Sequence, residues 1–74
     1  MAKAKVEKFW LGTVPATDDF GAPIDNEFVD GKTKMGPWGF MAPPSYYRYG
    51  MGLGLGRGQR YRKRGDGKWL KTAG

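Results

Sequence analysis

The chain has 74 residues, with 13 Lys and Arg against 7 Asp and Glu, a net charge of +6, no cysteine and no histidine. A chain this short forms one domain at most, here residues 1–74, with a core that buries only ~60% of the surface the unfolded chain exposes. The inventory excludes a disulfide framework, a zinc finger built on Cys and His, and a Ser–His–Asp triad, because the usual general base is missing and Ser45 is the only serine. No enzyme, no cofactor and no metal are therefore expected.

Taken in chain order, the first pattern is Lys5–Leu11. Val6, Lys8 and Trp10 would share one face of a short strand that Gly12 ends, with residues 1–4 frayed ahead of it. No apolar signal-peptide core follows the charged start, and no uncharged stretch free of Gly and Pro is long enough to span a bilayer. A cytoplasmic monomer away from membranes is the expectation. Residues 13–25 read as loop, punctuated by Pro15, Asp18-Asp19 and Gly21-Ala22-Pro23.

Asp30-Gly31 between β-formers predicts a hairpin over 26–35 with a two-residue turn. Phe28 would then face Thr33, and Glu27 would face Lys34. Gly36–Phe40 reads as an aromatic-bearing turn that sends Trp38 and Phe40 into the core. Pro43–Tyr49 predicts a two-turn helix, since proline is tolerated in a first turn, with Gly50 in the left-handed position behind it. Gly50–Gly58 alternates glycine with larger residues and reads as a flexible loop, or as backbone N–H groups open to a phosphate beside Arg57. Residues 59–71 predict a second hairpin turning at Gly65-Asp66-Gly67. The fold class is thus α+β: two hairpins (26–35, 59–71) and one short helix (43–49).

Charge is unevenly distributed along the chain. Residues 11–31 hold five acids and no base, whereas residues 32–74 hold ten bases against Asp66 alone. The candidate nucleic-acid-binding residues are Arg57, Arg60, Arg62, Lys63, Arg64, Lys68 and Lys71. Guanidinium groups fork onto phosphate oxygens, and Tyr61 and Trp69 among them could stack on unpaired bases. Without a long recognition helix, single-stranded RNA fits better than duplex DNA. The alternative is that Trp69 and Leu70 belong to the core and the charges form a solvated edge that blocks strand aggregation. Acidic Asp18, Asp19 and Glu27 and exposed tyrosines Tyr46 and Tyr47 are candidates for contact with a basic protein partner.

At Phe20–Ile24, Phe28–Thr33, Met35–Trp38 and Gly52–Tyr61 the chain resembles a group of small phage-encoded proteins, over roughly residues 13–71. Members of that group carry two C-x-x-C pairs in a treble-clef zinc finger, whose matching positions here are Thr17, Phe20, Ala42 and Ser45. The resemblance implies a treble-clef-like domain that has lost its zinc, with Phe20 and the Trp38/Phe40 cluster as replacement staple. Size, charge and missing cysteines are also similar to the lytic-phage regulators of host RNA polymerase, of the antiterminator type found in phages infecting Xanthomonas. That implies binding to the polymerase largest subunit near the RNA exit channel, inhibition of initiation and suppression of termination. The alternatives are a general nucleic-acid-binding accessory protein and a basic structural or ribosome-associated protein.

Overall fold

A computed structural model describes residues 7–74 of the chain. Its elements are β1 (Glu27–Lys32), β2 (Trp38–Met41), α1 (Pro43–Tyr49), β3 (Gly58–Lys63) and β4 (Trp69–Ala73). The strands form one antiparallel sheet in the order β2-β1-β3-β4. This is the small α+β domain the sequence predicts.

The second hairpin and the helix stand where the sequence puts them. Arg64 to Gly67 closes the hairpin, with the Gly67 N–H donating to the Arg64 carbonyl (3.0 Å) and Gly67 at φ 85°. Asp66 accepts from the Lys68 N–H (3.0 Å) and fixes the exit. Helix α1 begins at its two prolines. Gly50 differs from expectation: it is extended, not left-handed, because it bridges to Thr33 as the chain leaves the helix.

The first hairpin lies elsewhere. Asp30 and Gly31 are mid-strand residues of a central strand, not a turn. Gly31 pairs with Gly39 on one side and Gly58 on the other. A Cβ there would sit 2.7 Å from the Arg57 carbonyl oxygen and 2.8 Å from the Gly58 Cα. Close backbone approach, not a positive φ, is what calls for glycine. The actual turn is Thr33–Pro37, with Gly36 at φ 108° and the Thr33 hydroxyl donating to the Pro37 carbonyl (2.8 Å). In consequence Phe28 faces Tyr61, and Glu27 faces Arg62.

Among the described residues the predicted amino-terminal strand appears as a bridge from Phe9 to Leu70. Trp10 N–H donates to the Trp69 carbonyl (2.9 Å) and Lys71 N–H to the Lys8 carbonyl (2.7 Å), so residues 8–10 run along the outer edge of β4. Residues 1–6, including the predicted frayed end and the start of that strand, lie outside the described residues.

This edge segment completes the core. Phe28 is fully buried, and Trp10 packs edge-on against Phe28 (5.6 Å), Phe40 (5.3 Å) and Tyr61 (5.5 Å). Trp69 meets Phe28 at 5.1 Å, and Ile24 and Ala42 close the cluster. Phe40 is where the sequence puts it, but Trp38 is 48% exposed, at the turn end of edge strand β2. Across the sheet, Val29 and Met41 are buried on the face that α1 packs against.

The backbone around Phe20 and Ala42 converges on a carboxylate. Asp18 Oδ1 accepts from the N–H groups of Phe20 and Ala22 (both 2.9 Å), and Oδ2 accepts from Ala42 N–H (2.7 Å). Asp18 therefore ties the 18–22 turn to the start of α1. The expected aromatic staple is not formed as such: Phe20 instead stacks on Tyr49 (4.3 Å), and Trp38 faces solvent.

Candidate nucleic-acid interface

Alternation along β3 sets which side chains can meet a ligand. Tyr61 pairs with Phe28 and faces the aromatic core; Arg60 and Arg62 point to the opposite face, beside Glu27, Leu70 and Thr72. Helix α1 packs on β1 and β2 only, so it leaves the β3–β4 half of that face open. Arginines in this position stay hydrated until an anion replaces the water.

The predicted basic residues do not act as one set. Arg62 is exposed and makes no ion pair among the described residues. Lys63 lies over the Trp69 ring at 6.0 Å, and Lys68 over the Phe9 ring at 5.9 Å, both with ammonium groups that no described carboxylate pairs with. Arg64 is the most engaged: it meets Asp66 at 3.2 Å and Glu7 at 3.7 Å and also caps Phe9. Arg60 is held by Thr72 (3.1 Å) and, more loosely, by Glu27 (3.9 Å). Lys71 is half-buried against the amino-terminal segment.

Arg57 is separated from the rest. It precedes β3 at the end where the Lys32 N–H donates to its carbonyl, while Arg64 follows β3 at the other end. Seven residues of strand at ~3.3 Å each put them roughly 20 Å apart. The cationic groups thus gather around the hairpin tip rather than on one face: Arg62 on the open face, Lys63 on the Tyr61 side over Trp69, and Lys68 over Phe9, with Arg60 and Arg64 paired to carboxylates.

One further expectation is corrected. Tyr61 and Trp69 are core residues of the Phe28 cluster, so neither offers a free face for base stacking. Within the 50–58 segment a tight turn closes at residues 54–58: Gly54 N–H bonds the Gly58 carbonyl (2.8 Å), and the Arg57 and Gly58 N–H groups both bond the Gly54 carbonyl (3.0 Å each).

The candidate partner residues divide likewise. Asp18 is 6% exposed and fully engaged, so it cannot meet a partner. Burial alone pushes its pKa up, but the hydrogen bonds from Ser45, Ala42, Ala22 and Phe20 more than offset this and leave it below the ordinary carboxylate value. Asp19 is exposed, with one oxygen bonded to Phe40 N–H (2.9 Å) at the free edge of β2. Glu27 lies 3.9 Å from Arg60, Tyr46 is half-buried and Tyr47 is 81% exposed. Sequence reasoning missed one proximity: Tyr46, Tyr47 and Leu53 line a small cleft with Glu27 and Arg60. Only the path of α1 across the sheet brings them there, and no local pattern records that path.

No protein-family model matches the chain, and no curated protein or solved structure matches it. Among the described residues no group of three or more His, Cys, Asp or Glu side chains is placed to hold a metal ion. No described helix is long and apolar enough to cross a membrane.

Proposed function

We propose that this chain is a non-catalytic, phage-type transcription regulator that docks on host bacterial RNA polymerase and holds its cationic hairpin against nucleic acid. The observation that carries the nucleic-acid half is the open positive tip of the β3–β4 hairpin. Arg62, Lys63 and Lys68 stand there without a carboxylate partner among the described residues, next to Arg64, which meets both Asp66 and Glu7. With Tyr61 and Trp69 in the core, contact runs through phosphates rather than stacked bases, which favours binding indifferent to sequence. The polymerase half rests on the similarity of size, charge and missing cysteines to the lytic-phage regulators of host RNA polymerase. It implies the largest subunit near the RNA exit channel, where a hairpin of this charge would face emerging RNA, and host cytoplasm as the place of action.

The test is capture of purified bacterial RNA polymerase on the immobilised chain, with and without nuclease. Retention of polymerase after nuclease supports direct docking. Loss of polymerase on nuclease treatment, with RNA alone retained in its absence, replaces this reading by a general nucleic-acid-binding accessory protein.

A further inference from the structure

The end of the sheet opposite the cationic tip carries a different surface. The Thr33–Pro37 turn and the start of β2 form a groove of about 190 Å³ lined by Asp19, Phe20, Met35, Pro37, Trp38 and Gly39. Met35 is 57% exposed and Trp38 48%, large values for apolar side chains in a chain this small. Phe20 is held in place by its stack on Tyr49. At one wall stands the Asp19 carboxylate. Its Oδ2 is fixed by the Phe40 N–H, and it makes no ion pair among the described residues. Lys32, cross-strand from Trp38, does not pair with it. Asp30 adds negative charge nearby, its own pKa raised by burial and by the Asp19 charge.

We infer that this groove is the protein-docking site and that it takes an arginine side chain of the partner. An indole and a phenyl face beside an unpaired, pre-oriented carboxylate match one side chain above others. The planar guanidinium lies on aromatic faces and forks onto a carboxylate, while its methylene stem covers apolar surface such as Met35 and Pro37. Asp19 is the charged side chain in the lining, with Lys32 and Lys34 outside it, so within the groove a cation is favoured over a phosphate. The inference rests on the docking half of the proposed function and names the partner's chemistry.

The experiment is an NMR titration of the full chain with N-acetyl-arginine methylamide, following the Trp38 indole N–H. The expected result is a saturable shift confined to Trp38, Phe20 and the Thr33–Gly39 segment. The uncharged citrulline analogue binds about tenfold more weakly, the loss of one charge-assisted contact. Asp19→Asn weakens arginine by a similar factor. Because Asp19 also fastens β2, Met35→Lys is run alongside: it leaves that hydrogen bond intact and places a repelling cation at the groove. No localised shift, or equal shifts from arginine and citrulline, overturns the inference. So does concentration-dependent self-association that Met35→Lys abolishes, since a second copy would then be the occupant. Polymerase capture separates the two levels. If wild type fails to capture polymerase while the arginine titration succeeds, the polymerase reading alone falls. If Met35→Lys captures as well as wild type, the groove is not the docking site.

Discussion

Asp18 bonds a backbone N–H 24 residues away with one oxygen and closes its own turn with the other. Removing half of that set leaves buried donors unpaired, which costs ~1–3 kcal/mol per group. Asp18→Asn is therefore expected to lower stability by about 1–3 kcal/mol at pH 7, measured by urea unfolding. The folded pKa is depressed, so the contribution is present above the unfolded carboxylate value of ~3.9 and is lost as pH falls through the folded value. The gap between wild type and variant should shrink toward pH 3; a gap that stays constant would assign the loss to packing. Asp30 has the opposite sign. Burial and then the Asp19 charge raise its folded pKa, so its contribution is present below the unfolded value and is lost as pH rises through the folded one. Asp30→Asn should make the protein more stable than wild type at pH 7, with the difference closing as pH falls below the Asp30 pKa.

At the scale of elements, a row of glycines runs across three strands: Gly39, Gly31 and Gly58 stand side by side in β2, β1 and β3. A methyl at Gly31 meets backbone, which cannot rotate away. Gly31→Ala is expected to cost about 1–3 kcal/mol, the range for overpacking. Gly65→Ala, with nothing within 4 Å of its added methyl, is the control and should melt within about 0.5 kcal/mol of wild type. The same row shows why part of the fold was readable in the sequence and part was not. Pro43-Pro44 before a polar-aromatic run, and Gly65-Asp66-Gly67 between β-formers, each admit one local solution, and both elements stand as predicted. Asp30-Gly31 admits two, a turn or a close strand approach, and only the arrival of β3 some 27 residues later selects the second. The candidate site divides in the same way. That Arg60 and Arg62 share a face follows from alternation within one strand. That Tyr61 and Trp69 are taken by the core depends on Trp10 packing in from the far end of the chain, and that Glu27 offsets Arg60 depends on the β1–β3 register.

On the scale of the whole molecule, which measures 42 × 26 × 18 Å, β1 and β3 lie between two unlike ends. The Lys63 N–H bonds the Asn26 carbonyl at the cationic end, and the Lys32 N–H bonds the Arg57 carbonyl at the apolar end. Six strand residues at ~3.3 Å each separate them by roughly 20 Å, beyond the ~8–10 Å over which surface charges feel one another at ordinary salt. Perturbations at the two ends should therefore be independent. On single-stranded RNA each neutralised phosphate contributes ~0.7 to the salt slope of log affinity, so replacing Arg62, Lys63 and Lys68 by Ala together should flatten the slope by about two units. Met35→Lys at the groove should leave that slope unchanged, despite adding a positive charge. In the combined variant the two effects on binding free energy should add within about 0.5 kcal/mol, as distant sites do. An unchanged slope in the triple variant removes the hairpin tip from the RNA surface. Strong coupling in the combined variant would mean that the two ends share one ligand, because the sheet between them offers no other path by which a charge at Met35 could alter phosphate contacts at Arg62.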